Sequence, residues 1–170
     1  MEKHVDIRIE IDDRLGGTMP ADDDLYLIGL SLFVFNRLYQ FMIELLGYDT
    51  AVTKTWHELM DMPLKGITDN LCSFICRIYG IDEEEDKQHV NAVFDELVER
   101  RNRIVHEFIV TDETGQALRT KTKHNFPDPE KQNQQFPVTR GFMQDFISDT
   151  KDMEYKLNNF REYLWGNHLI

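Results

Sequence analysis

The chain has 170 residues, 41% hydrophobic and 11% aromatic, enough for one packed domain that needs neither disulfides nor a structural metal. Its formal net charge of -12 repels phosphate at long range, which argues against broad nonspecific binding to nucleic acid and requires any nucleic-acid site to be local. The two cysteines, Cys72 and Cys76, stand four residues apart, a spacing for one packed helical face rather than a disulfide framework, and no second Cys/His pair completes a zinc site.

Val5, Ile7, Ile9 and Ile11 alternate with Asp6, Arg8, Glu10 and Asp12, the period of a strand buried on one face. Gly16, Gly17 and Pro20 mark a loop, and Asp22-Asp23-Asp24 open a helix predicted over 25–46 and ended by Gly47. That helix carries two apolar faces, so it is expected to be central in a bundle or shared between the core and a subunit interface. Met1–Asp6 contains no apolar signal core, the apolar run 25–35 is short for a bilayer, and Arg37 and Glu44 interrupt the helix. A cytoplasmic location and no membrane partner are the corresponding expectations.

A short segment over 56–62 leads to Pro63 and a helical stripe of Leu64, Ile67, Leu71, Phe74, Ile75 and Ile78, closed by Gly80. Asp82 with Glu85 forms an acidic capping box for the next helix. Beyond it, 108–111 and 117–123 flank Asp112-Glu113-Thr114-Gly115-Gln116 and predict a β-hairpin, a candidate partner for the N-terminal strand. Residues 124–138 hold Pro127, Pro129 and Pro137 and predict a long loop. Thr139 caps a last helix with Phe142, Phe146, Met153, Leu157, Phe160 and Leu164 at helical spacing. The expectation is a single all-α domain over 1–170. It would be an antiparallel bundle of four main helices, with a hairpin and loop inserted at 107–138 before the last helix.

The stretch that packing does not readily explain is Arg100-Arg101-Asn102-Arg103-Ile104-Val105-His106-Glu107. Val90, Phe94, Leu97, Ile104 and Phe108 form the apolar stripe of that helix, and Arg101 falls within roughly 20° of its centre. As an isolated residue, Arg101 would run its stem over the core and pair with a carboxylate such as Asp95 or Glu154, while His106 would be a helix-end histidine favoured by the dipole. Arg101 and His106 lie about 140° apart on an ideal helix, so one chain does not bring them together easily; a second copy would.

Arg101-Asn102-x-x-x-His106 resembles the R-x4-H signature, with a polar residue directly after the arginine, of the HEPN superfamily. The resemblance covers that segment and, beyond it, the helical layout alone. It implies a small helical bundle that dimerises with the two motifs facing each other, and a metal-independent endoribonuclease of the toxin–antitoxin or phage-defence kind. Arg101 and His106 would be the active pair and Asn102 their polar support, with no cofactor and no metal. Some such toxins carry a tyrosine two residues after the histidine for modification by an antitoxin; Phe108 stands there in this chain, which puts that mode of neutralisation by an antitoxin in doubt.

The residue types suit the chemistry. Metal-free RNA cleavage needs a group near neutral pKa to move the 2′-hydroxyl proton or protonate the leaving oxygen, as histidine does. A planar guanidinium offers paired donors to the charged transition state. Arg119, Lys121 and Lys123 alternate along the second hairpin strand, a stripe expected to guide RNA, or else a charged edge that resists pairing. The alternatives from other classes are a non-catalytic HEPN-like nucleotide-binding, RNA-binding or protein-interaction module, and a helical oligomerisation domain.

Overall fold

The computed structural model describes residues 20–81, 83–112, 115–121 and 129–169, with side chains except at 83–90, 111, 112, 115, 116, 121 and 131. The predicted N-terminal strand, the Asp82 cap and Lys123 lie outside the described residues. The elements are α1 (Asp22–Leu46), α2 (Trp56–Met60), α3 (Leu64–Tyr79), α4 (Glu83–Val105), β1 (Phe108–Asp112), β2 (Gly115–Lys121), a 3-10 turn (Pro129–Lys131), β3 (Gln135–Pro137) and α5 (Arg140–Gly166). The molecule is mostly helical, with one small antiparallel sheet.

Local chemistry sets the boundaries. Asp22, Asp23 and Asp24 occupy the first turn of α1, where carboxylates favour the helix dipole. Thr55 and Glu58 form a reciprocal capping box that starts α2. Gly80 ends α3 at φ +63°, a left-handed conformation that glycine adopts without a Cβ clash. Thr139 Oγ1 accepts the Phe142 amide at 3.1 Å and starts α5.

The core collects Leu38, Met42, Leu45 and Leu46 of α1, Ile67 and Leu71 of α3, Phe94, Leu97 and Ile104 of α4, and Met143, Phe146, Leu157 and Leu164 of α5, all buried. Each large side chain so buried contributes about 1.5–3 kcal/mol. Phe35 stacks on Phe146 with centroids 6.0 Å apart, and Phe74 meets Phe160 edge to face at 5.3 Å. Cys72 and Cys76 are buried thiols on the packed side of α3, and Cys72 Sγ donates to Asn91 Oδ1 at 3.2 Å.

Helix directions depart from the alternating order expected. Asp24 pairs with Arg140, Arg37 with Glu154 and Glu44 with Arg161, a separation of 116 or 117 residues each time. So constant an offset means that α1 and α5 run in the same direction. Tyr39 donates to the Met62 carbonyl and Arg77 pairs with Asp49, so α3 follows α1 in the same sense. α4 runs against them: Arg100 reaches Phe142, Phe146 and Asp149 near the start of α5. The physical reason is connection length. Short loops force antiparallel neighbours, whereas the α1–α3 crossover, carrying α2, leaves room to return.

The sheet follows the hairpin expectation and adds to it. β1 pairs with β2 from Phe108↔Arg119 to Asp112↔Gly115, and β2 pairs with β3 through Arg119↔Pro137, Thr120↔Phe136 and Lys121↔Gln135. The long loop expected over 124–138 thus contains a third strand. By length and composition α1 is able to cross a membrane; here it packs on α3, α4 and α5, and Arg37 and Glu44 are tied to α5.

Candidate functional site

The arginine-rich stretch forms the last turns of α4, where successive residues rotate about 100° and each arginine meets a different neighbour. Arg100 pairs with Asp149, its guanidinium 5.4 Å from the Phe142 ring centroid and 5.7 Å from that of Phe146. Arg103 pairs with Glu99 at 3.2 Å and lies 4.3 Å from the Phe136 ring, which ties α4 to β3. Both border a groove between α4 and α5 that also carries Glu96, Glu99, Asp145 and Asp149. An acidic flank of this kind is closed to phosphate.

Arg101 points elsewhere. It is half-buried between Leu97 and Ile104, which are 3% and 1% exposed, so it does interrupt the apolar stripe. Its guanidinium carbon lies 5.9 Å from the Phe35 ring centroid on α1, and its Nη1 donates to Asn102 Oδ1 at 3.1 Å. Its Nε is buried without an acceptor among the described residues. The expected carboxylate pairing is absent among the described residues: Glu154 is bound to Arg37 instead. The stripe itself ends at Ile104, because Phe108 has passed into β1 and is 40% exposed.

His106 follows the end of α4. Its amide donates to the Asn102 carbonyl at 3.0 Å, which closes the last turn, and its side chain is exposed. Within one chain, then, Arg101 and Asn102 are hydrogen-bonded through their side chains, while the imidazole makes no hydrogen bond to another described residue.

Glu107 has no role in the sequence-based reading, yet the structure marks it. It is half-buried, its Oε2 is enclosed without a hydrogen-bond donor among the described residues, and burial, together with the charge of Asp24, raises its pKa to about 7. Arg140 does not relieve it, because that guanidinium is engaged by Asp24 at 2.6 Å and Asp23 at 3.0 Å. The sequence offered only its adjacency to His106 as a signal; its burial comes from tertiary packing.

On β2, Thr120 is buried and Leu118 packs against the core, so alternation puts the Arg119 and Lys121 positions on the other face. Arg119 is half-buried on that face. The side chain of Lys121 and all of Lys123 are outside the described residues, so the cationic stripe is described only at Arg119. Among the described residues no cluster of three His, Cys, Asp or Glu side chains is arranged to hold a metal ion. No protein-family model, curated protein or solved structure matches this chain.

Proposed function

We propose that this chain is a metal-independent endoribonuclease of the HEPN type, acting as a homodimer in a toxin or phage-defence setting. The observation that carries the reading is Arg101. Of the three arginines ending α4 it alone has no carboxylate partner among the described residues, although it occupies a core-edge position. A guanidinium held there by a neutral amide and a ring keeps its charge available for an anion. In this reading the four longer helices are the bundle, and the sheet is an insertion upon it.

The chemistry follows from the side chains. The ribose 2′-oxygen attacks the adjacent phosphorus as its proton passes to an imidazole, and the P–O5′ bond breaks as the 5′-oxygen takes up a proton from a second imidazole. The products are a 2′,3′-cyclic phosphate and a 5′-hydroxyl. Arg101 stabilises the extra charge on the phosphorane-like oxygens, and Asn102 fixes the guanidinium. One chain supplies one His106, so two chains meeting at the ends of their α4 helices supply both proton-transfer groups. Arg119, Lys121 and Lys123 would steer the RNA, and an antitoxin partner would block the same end of α4.

The test is product chemistry. Purified protein is expected to cut single-stranded RNA or tRNA to 2′,3′-cyclic phosphate ends while leaving the 2′-O-methyl analogue intact. Equal cleavage of both would rule out 2′-hydroxyl attack. A second reading, a non-catalytic RNA-binding or interaction module, is favoured by the absence of any described partner to orient the imidazole of His106. It predicts RNA retention that is unchanged in His106→Ala.

A further inference from the structure

Away from the motif, α1 and α5 enclose a groove of about 1020 Å³ bounded on one side by α2, of the size that small-molecule sites have. Arg37, Lys151 and Arg161 line it against two carboxylates, Glu44 and Glu154. An excess of cations is unexpected in a chain of net charge -12. Arg37 is held by Glu154 at 2.6 Å and Arg161 by Glu44 at 3.2 Å, whereas exposed Lys151 has no ion-pair partner among the described residues.

Arg161 is fixed in place. Its guanidinium lies between Phe41 and Trp165, 4.8 and 4.9 Å from their ring centroids, and Nη2 donates to Asn158 Oδ1 at 2.6 Å. Around it stand groups that recognise a planar, hydrogen-bonding ring. Trp56 of α2 is 48% exposed and Tyr155 of α5 is 68% exposed, both lining the groove, with Asn36 and Gln40 offering amide donors and acceptors. Aromatic faces accept a nucleobase by stacking, and amides bond its edge. Lysine and arginine hold a phosphate.

We infer that this groove is a binding site for a mononucleotide, its phosphate held at Lys151 and its base stacked on Tyr155. The fixed Arg161 holds the groove wall in register and adds its charge. The site is separate from the proposed ribonuclease centre, since Arg101, Asn102 and His106 are not among the lining residues. An apolar peptide helix is a poor occupant, because it would cover Lys151 without giving it an anion.

The chain carries its own reporters: of its two tryptophans, Trp56 lines the groove and Trp165 has its ring centroid 4.9 Å from the guanidinium of Arg161, which lines it. Full-length protein is titrated with AMP, GMP, adenosine and inorganic phosphate, followed by tryptophan fluorescence and calorimetry. AMP and GMP are expected to give saturable binding, with adenosine and phosphate each weaker by about tenfold or more. Lys151→Glu, at an exposed position where circular dichroism checks folding, is expected to weaken AMP binding by about tenfold, and Tyr155→Ala to weaken AMP and adenosine alike. His106→Ala should bind as wild type. No saturable response to either mononucleotide at millimolar concentration overturns the proposal. So does unchanged binding in Lys151→Glu and Tyr155→Ala, or binding lost in His106→Ala, which would move the nucleotide to the motif.

Discussion

Glu107 shows how a single residue reports on its surroundings. Its pKa is raised to about 7 by burial and by Asp24, so the folded chain retains a proton that the unfolded chain releases near the ordinary carboxylate value. Its contribution to stability is therefore fully present below about pH 4.5 and is lost as the pH rises through about 7. Glu107→Gln keeps the neutral form at every pH. The half-exposed site is screened by water, so the variant should exceed wild type by about 1 kcal/mol at pH 8 and match it near pH 4. Denaturation midpoints at both pH values measure this, and an equal difference at the two would contradict it. A carboxyl near neutral pKa beside His106 is also suited to proton transfer, although its enclosed Oε2 faces the protein rather than solvent.

At the scale of elements, what the sequence revealed and what it hid divide by range. Helices were legible because their signals are local: the acidic first turn of α1, Gly80 and the Thr139 cap all act within one turn. β3 was hidden because Gln135-Phe136-Pro137 is three residues long, contains a proline and has no alternation to read. Pairing with β2 and the Arg103–Phe136 contact make it a strand. Helix direction was hidden too, since it depends on how crossovers return. The candidate site was half legible. Spacing singled out Arg101, Asn102 and His106, whereas the Arg100–Asp149 pair and the Arg103–Phe136 contact needed the packed α5 and β3. Thr139 begins the helix that receives Arg100 and holds Arg140 against Asp24. Thr139→Ala should therefore cost about 1 kcal/mol in chemical denaturation; a change below a few tenths would mean the cap is replaced by solvent.

For the whole molecule, charge and exposed surface bear on assembly. Tyr26 and Phe33 of α1 are 68% and 60% exposed, with Gly29 between them on the same side and no described atom within 4 Å of its Cβ position. Both apolar stripes expected of α1 pack mainly into the core, and Tyr26 and Phe33 belong to neither. A two-fold assembly that joined the ends of α4 would bring together two Arg101 and two His106 side chains, the complement that one chain lacks. If RNA binds there as proposed, the net charge of -12 would confine it to that local site and make its capture sensitive to salt. The most direct measurement is cleavage of single-stranded RNA in EDTA by wild type, Arg101→Ala and His106→Ala. Wild type is expected to cleave, and each folded variant to lose about 100-fold or more. RNA left intact by all three, or cut equally by all three, would contradict the proposal.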